Sequence, residues 1–129
     1  MEINIPEVVA EVTQAWHRYQ KAVDANDFDT MNELFWDSPY TVRFGPNGTL
    51  ISHTAIASYR RNRPGRVIDR KLRNTVITTF GRDFAVASTL YERPTAPGKI
   101  GRQTQTWVKF PEGWRVVVGH VSLMEKPAT

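Results

Sequence analysis

The chain has 129 residues, of which 40% are hydrophobic and 23% charged, a composition typical of one globular domain with its own core. It has no cysteine, which excludes disulfide bonds, thiolate metal sites and cysteine nucleophiles, and no apolar run approaches the ~20 residues of a membrane helix. The net charge is +4, but twelve of the seventeen cations are arginine, which binds carboxylates as readily as phosphates, so we expect a small anionic substrate and no nucleic acid or membrane.

Two helices are predicted at the start of the chain. Apolar residues recur at steps of three and four between Pro6 and Val23, which indicates an amphipathic helix. Residues 24–27 supply a turn and a cap for a second, shorter helix over residues 28–35. The residues ahead of the first helix contain no basic stretch followed by an apolar run, so we expect no signal peptide and a cytoplasmic protein.

A β-hairpin and a third helix follow. Residues 40–44 and 49–51 form short β runs, and the Asn47-Gly48 pair between them tolerates positive φ, which is typical of a hairpin loop. The third helix begins at Ser52 or His53 and continues to Arg63, where Pro64-Gly65 stops it.

The second half of the chain predicts four long strands joined by tight turns, over residues 67–80, 84–93, 100–110 and 114–124. Tight turns imply that each strand pairs antiparallel with its successor. We therefore predict an α+β fold, with N-terminal helices packed in the concave face of a strongly curved antiparallel sheet to form a cone. One domain is expected over residues 1–129, with its core at about 8–123 and a pocket at the wide end of the cone.

The strand predicted at residues 100–110 carries candidate pocket residues. Strand alternation places Gln103, Gln105 and Trp107 on one face, while Arg102 and its alternate neighbours lie on the other. The face with the tryptophan is the better candidate for the concave side, where glutamine amides and an indole ring would orient a small molecule.

In the last strand, alternation places His120 and Ser122 on the same face as Val116 and Val118. These two polar residues would complete a pocket wall with Gln105 and Trp107. An alternative is that both are hydrogen-bonded polar groups of the core or of an interface, because no Asp or Glu lies nearby in the strand to orient the histidine.

Two further residues have side chains that are expensive to bury without a partner. Tyr19 lies one turn after Trp16 on the apolar stripe of the first helix, so its hydroxyl requires a polar partner. Arg43 lies inside the first short strand, where it either points inward to an anion or lies on the outer face in solvent. Tyr59 and Tyr91 are read as core aromatics or, alternatively, as pocket residues.

Metal and cofactor chemistry is not expected. His17, His53 and His120 are far apart and lack metal-ligand spacing. Motifs of serine nucleophiles and phosphate-binding loops are absent from the sequence.

Arginines concentrate between residues 60 and 73. The first of them, in residues 60–66, either form a solvated helix end that opposes the helix dipole or a basic rim that attracts an anion to the pocket.

Four segments carry a likeness to a known family: residues 16–19 (WHRY), 45–48 (GPNG), 102–107 (RQTQTW) and 113–122 (GWRVVVGHVS). With the order of elements, they resemble the SnoaL-like, nuclear transport factor-like superfamily and, within it, the AtzH-like family, over residues 8–123. The ending with a tryptophan and a His-x-Ser is common in the superfamily, so alone it specifies fold and not activity.

The resemblance implies a small amidohydrolase of nitrogen-compound catabolism that converts 1,3-dicarboxyurea to allophanate. The proposed catalytic tyrosine and arginine of that family fall on Tyr19 and Arg43. The resemblance also implies a homodimer that packs convex sheet faces together, with an amidase as a possible partner. The expected substrate-binding residues around the pair are Trp16, Tyr59, Gln105, Trp107, His120 and Ser122.

Two other functions remain open from the sequence. One is a non-catalytic accessory dimer that binds a partner amidase or a small anion. The other is an isomerase, dehydratase or cyclase, which would require a carboxylate base in the pocket, with Asp37 and Glu92 as candidates. For a hydrolase, His120 is the candidate general base.

Overall fold

A computed structural model of the chain describes residues 1–63, 65 and 68–127. It contains helices α1 (Pro6–Asp24), α2 (Phe28–Leu34) and α3 (His53–Asn62), and strands β1 (Val42–Gly45), β2 (Gly48–Ile51), β3 (Lys71–Phe80), β4 (Phe84–Glu92), β5 (Lys99–Phe110) and β6 (Gly113–Glu125). The predictions made for Pro64, Arg66, Val67 and the last two residues lie outside the described residues.

The three helices confirm the predicted starts and caps. Pro6 occupies the first turn of α1. Asp27 caps α2 by accepting from the backbone N–H of Thr30 at 3.1 Å, and Ser52 caps α3 by accepting from that of Ala55 at 3.1 Å. Helix α2 ends before Phe35, whose extended backbone instead forms a bridge with β6.

The six strands form one sheet in the order β2-β1-β6-β5-β4-β3. Consecutive strands from β3 to β6 pair antiparallel, as predicted, and so do β1 and β2. Strand β1 pairs parallel with β6, which local pattern could not predict because about seventy-five residues of chain separate the partners. This pairing places β1 between β2 and β6, with Arg43 opposite Gly119.

The hairpin between β1 and β2 is confirmed, but the positive φ expected for its Asn47-Gly48 pair is not observed. Neither Asn47 nor Gly48 has a positive φ. Pro46 and Asn47 connect the strands, and the fixed φ of proline suits the first central position of a turn.

A β-bulge in β6 places the side chains of its second half on the face of the sheet opposite to the predicted one. Thr106 pairs with Val118 but Trp107 pairs with Val116, so Val117 is an extra residue in β6. Val116 is fully buried whereas Val118 is 42% exposed. The prediction that His120 and Ser122 share a face with Val116 is therefore wrong, because each residue beyond the bulge has moved to the opposite face.

Helices and sheet share one hydrophobic core on the concave face. Val12 and Trp16 of α1 pack in the same cluster as Trp107 of β5 and Val116 of β6, and all four are 4% exposed or less. This arrangement confirms the predicted α+β cone. Among the described residues, no helix has the length and apolar character needed to cross a membrane.

Candidate functional site

A cavity of about 70 Å³ lies between α1, α3 and the concave side of β1, β6, β5 and β4. One enclosed water needs roughly 10–15 Å³ on this scale, so the cavity has room for about five to seven waters or for a small organic molecule. Its described lining contains five arginines and no aspartate or glutamate: Arg43, Arg60, Arg63, Arg70 and Arg93. The site is therefore strongly cationic.

Tyr19 and Arg60 form the inner wall. Tyr19 is 4% exposed and its hydroxyl accepts a hydrogen bond from Arg60 Nη2 at 3.1 Å. Arg60, only 2% exposed, also donates from Nη1 to Asn32 Oδ1 at 2.9 Å, and its guanidinium lies 4.4 Å from the ring centroid of Phe35. The phenol predicted to need a polar partner has an arginine as that partner.

The electrostatic environment of Arg60 is unfavourable for a cation. Burial lowers the pKa of Arg60, and the nearby Arg43 guanidinium lowers it further, whereas Tyr19 opposes the change. Among the described residues, no carboxylate forms an ion pair with Arg60. An anion in the cavity would relieve this repulsion between two guanidinium groups.

Arg43 lies on the inner face of β1. Its neighbour Phe44 is 41% exposed on the other face, which follows from strand alternation. Two glycines leave room for the arginine: a Cβ added at Gly119 would lie 3.8 Å from Arg43 Cγ, and one at Gly45 would lie 3.1 Å from Arg43 Nη1. Its guanidinium is 5.8 Å from the ring centroid of Tyr59, and within the described part of the chain it has no hydrogen bond or ion pair.

Two glutamine amides line the side of the cavity formed by β5. Gln105, 2% exposed, accepts from Trp107 Nε1 at 3.2 Å. Gln103, 7% exposed, accepts at Oε1 from Gln20 Nε2 of α1 at 2.6 Å. Both residues are on the inward face, as strand alternation predicted.

Arg70 differs from Arg43 and Arg60 because a carboxylate neutralises it. Its Nε donates to Asp24 Oδ1 at 3.0 Å, and its Nη2 donates to Gln20 Oε1 at 3.0 Å. The guanidinium also lies 5.6 Å from the ring centroid of Tyr91, another lining residue. Arg70 therefore acts as a support for the cavity wall.

The structure brings Tyr19, Arg43 and Gln105 together at the cavity. Several other residues that were predicted for the site lie elsewhere. Trp16 and Trp107 belong to the hydrophobic core and are absent from the described lining. Tyr59 is absent from the described lining, but its ring contacts Arg43.

The side chains of both polar residues of β6 lie on the outer face of the sheet. His120 contributes to the cavity wall, but it is exposed and its ring packs edge-on against that of Phe44, with centroids 6.2 Å apart. Ser122 pairs with Arg102 on the outer face, where its hydroxyl accepts from Arg102 Nε at 3.1 Å. The bulge at Val117 explains both positions.

The predicted carboxylate bases are also elsewhere. The Asp37 side chain is 91% exposed, and Glu92 pairs with Arg73 at 3.3 Å and with Lys126 at 2.5 Å. Within residues 1–63, 65 and 68–127, no group of three potential metal ligands comes together.

Sequence reasoning did not single out Arg60 from the arginines of residues 60–66, which were expected at a solvated helix end or, alternatively, at a basic rim of the pocket. One signal was available: Arg60 lies four residues after Ile56, so both occupy the same face of α3, and Ile56 is fully buried. The arginine-rich end of α3 thus divides, with Arg60 buried in the site and Arg61 exposed.

The model of the AtzH-like family matches residues 1–127. The chain is similar to a protein of unknown function from the DUF3225 family of Pectobacterium atrosepticum, at 52% identity, with 95% of each chain covered and a TM-score of 0.92. It is also similar to a cystatin-like fold protein of Burkholderia xenovorans, at 43% identity, with 98% of this chain and 99% of that one covered and a TM-score of 0.94.

A more distant match shows the fold alone. A putative dehydratase of the NTF2-like family from Streptomyces avermitilis is 19% identical, with a TM-score of 0.74 over 90% of this chain and 95% of that one. None of the curated proteins matches the chain.

Proposed function

Because this chain belongs to the AtzH-like family, we propose that its cavity binds a small carboxylated urea, such as 1,3-dicarboxyurea, and hydrolyses it to allophanate. One observation carries the proposal: a buried tyrosine hydroxyl lies in a small cavity with five arginines and no acidic residue in its described lining. A small substrate with two negative charges suits the charge of this cavity.

Binding rests on Arg43. Its guanidinium has no described ion-pair partner, so it is available to bind a substrate carboxylate in a bidentate pair. The negative charge of the substrate would also offset the repulsion between Arg43 and Arg60. Binding energy from these charges would hold the substrate in one orientation beside Tyr19.

The reaction breaks one C–N bond between a urea nitrogen and a terminal carboxyl carbon. The dicarboxyurea dianion and water give the allophanate anion and bicarbonate, which balances atoms and charge. The leaving nitrogen takes a proton, and Tyr19 would donate it from its hydroxyl; the phenolate would then recover a proton from the water that attacks the carboxyl carbon. Arg60, hydrogen-bonded to the same oxygen, would stabilise the negative charge that develops on the phenol.

Replacement of the tyrosine tests the proposal. Tyr19→Phe removes only the hydroxyl, and we expect kcat to fall about 100-fold or more because the proton donor is lost. Tyr40→Phe is the matched control, since Tyr40 is 77% exposed, and it should retain the wild-type rate. Allophanate formed from freshly prepared 1,3-dicarboxyurea is measured by mass spectrometry against the enzyme-free rate.

Two results would contradict the proposal. A wild-type rate equal to the enzyme-free rate would exclude this activity. Wild-type turnover by Tyr19→Phe would exclude the proton-donor role of the tyrosine.

A second candidate function is that of an accessory homodimer that binds a partner amidase. Phe44 of β1 and Val118 of β6 support it, because they are 41% and 42% exposed on adjacent strands of the outer sheet face. Exposed apolar side chains on a sheet face favour association with another protein surface. An accessory dimer would keep its affinity for the amidase in Tyr19→Phe and would show no turnover to lose.

A further inference from the structure

Two polar side chains of the cavity each accept a hydrogen bond from a buried group that can only donate, and a third is oriented by such a group through an intermediate residue. Arg60 donates to the hydroxyl of Tyr19 at 3.1 Å. The indole N–H of Trp107 donates to Gln105 Oε1 at 3.2 Å. Neither a guanidinium nor an indole N–H can accept a hydrogen bond, so the direction of both contacts is determined by chemistry.

The third contact passes through an intermediate residue. Arg70 Nη2 donates to Gln20 Oε1 at 3.0 Å, which fixes the orientation of the Gln20 amide. Gln20 must then donate from Nε2, and it does so to Gln103 Oε1 at 2.6 Å. The Gln103 oxygen is used, and its NH₂ group is the part left for the cavity.

We propose that these three anchored contacts make the cavity a surface of hydrogen-bond donors, and that Gln20, supported by Arg70, is the positioning residue that orients Gln103. The hydroxyl hydrogen of Tyr19, the amide hydrogens of Gln103 and Gln105, and the Arg43 guanidinium are all donors. The inference rests on the proposed function only in taking the same cavity as the ligand site.

This polarity selects ligands by their hydrogen-bonding groups as well as by charge. A ligand that presents only acceptors can pair with each donor of the wall. If a ligand of the same shape instead directed N–H groups at this wall, donors would face donors and remain unpaired. Each unpaired buried group costs about 1–3 kcal/mol, or roughly five- to 150-fold in affinity. The cavity should therefore recognise the carboxylate and carbonyl oxygens of its ligand and make no use of urea N–H groups.

Three stable or slowly reacting probes of equal length test this selectivity by titration calorimetry on the wild-type chain. 3-Oxoglutarate carries two carboxylates and the central carbonyl of 1,3-dicarboxyurea, with CH₂ in place of each N–H. Glutarate lacks the carbonyl, and glutaramide replaces both carboxylates by neutral amides. We expect affinity to fall in the order 3-oxoglutarate, glutarate, glutaramide, with about tenfold or more between the last two.

Gln20→Glu tests the orienting role without changing a residue of the cavity lining. A carboxylate at position 20 would still accept from Arg70, but it would also require Gln103 to donate to it, which turns the Gln103 oxygen toward the cavity. We expect weaker 3-oxoglutarate binding and stronger glutaramide binding. A gain for the neutral probe cannot arise from added negative charge, so it reports the turned amide.

Gln14→Glu is the matched control, because Gln14 lies exposed on the same helix and the charge change is identical. It should leave the ranking of the three probes unchanged. Thermal unfolding establishes that each variant is folded, and the wild-type ranking stands as a separate measurement if Gln20→Glu is not.

Specific outcomes would overturn the inference. Equal wild-type affinity for glutarate and glutaramide would do so, and so would a folded Gln20→Glu chain with the wild-type ranking. Either result leaves the proposed hydrolysis intact, since a dianion still binds. Absence of binding by both dianions would overturn the proposed function together with the inference.

Discussion

Paired cations on the outer surface differ from Arg43 and Arg60 of the cavity in what neutralises them. On the surface, Arg18 pairs with Glu33 at 2.6 Å and Lys109 pairs with Glu11 at 2.9 Å. In the cavity, Arg43 has no described ion pair, and the described partners of Arg60 are the neutral groups of Asn32 and Tyr19. The surface cations are therefore neutralised by carboxylates, whereas these two cavity arginines have no carboxylate partner among the described residues.

The difference indicates where charge serves binding. A surface pair in solvent contributes about 0–1 kcal/mol to stability, and either partner can be lost cheaply. An uncompensated guanidinium in a cavity destabilises the free protein, and that energy is recovered when an anion binds. The cavity arginines are thus expected to control ligand affinity, whereas the surface cations have small effects on stability.

The largest expected effect tests this division directly. Arg43→Met should lower the affinity for 3-oxoglutarate about 10- to 100-fold, because a charge-assisted hydrogen bond to a carboxylate is lost, and it should leave the free protein at least as stable. Arg18→Met, the surface counterpart, should change neither ligand affinity nor stability by more than about 1 kcal/mol. Titration calorimetry and thermal unfolding measure both variants; equal affinity losses would remove the distinction between the regions.

A smaller effect is expected from the glycine that makes room for Arg43. In Gly45→Ala, the new Cβ would lie 3.1 Å from Arg43 Nη1, so the guanidinium must shift by a few tenths of an ångström. We expect affinity for 3-oxoglutarate to fall about three- to tenfold. In Gly48→Ala, the matched control across the hairpin, the new Cβ would meet Leu50 Cγ at an ordinary 3.9 Å, and affinity should be unchanged. An equal loss in both variants would assign the effect to the hairpin backbone.

The smallest effect concerns pH and the paired surface. Hydrogen bonds from Lys109 and then Trp114 lower the pKa of Glu11 below its ordinary value of 4.5. A carboxylate with a lowered folded-state pKa stabilises the protein above its unfolded pKa, and that contribution disappears as pH falls through the folded value. In Glu11→Gln, the free energy of unfolding should therefore fall less steeply below about pH 4.5, as thermal unfolding would measure. The difference from the wild type should be less than about 1 kcal/mol because the group is largely exposed. An acid profile identical to that of the wild type would contradict the assignment.

Much of the site could be predicted from the chain, and the missed parts share a physical cause. Tyr19 was found because helical spacing places it on the apolar stripe of α1, and Gln105 because alternation in β5 is regular. Ser122 was placed on the wrong face because one extra residue at Val117 reverses alternation, and no local pattern marks it. Arg60 was not distinguished from the other arginines of residues 60–66, expected at a solvated helix end or a basic rim of the pocket, because charged residues at a helix end are exposed in most proteins.

The sequence by itself determined the order of helices and strands, the inward face of α1 and β5 and the absence of cysteine chemistry, because periodicity and composition act over a few neighbouring residues. The tertiary structure decided what the cavity contains. The parallel pairing of β1 with β6 sets Arg43 opposite Gly119, and the packing of α3 brings Arg60 to Tyr19, forty-one residues away in the chain. Contacts between distant segments depend on register and packing, which no local pattern encodes.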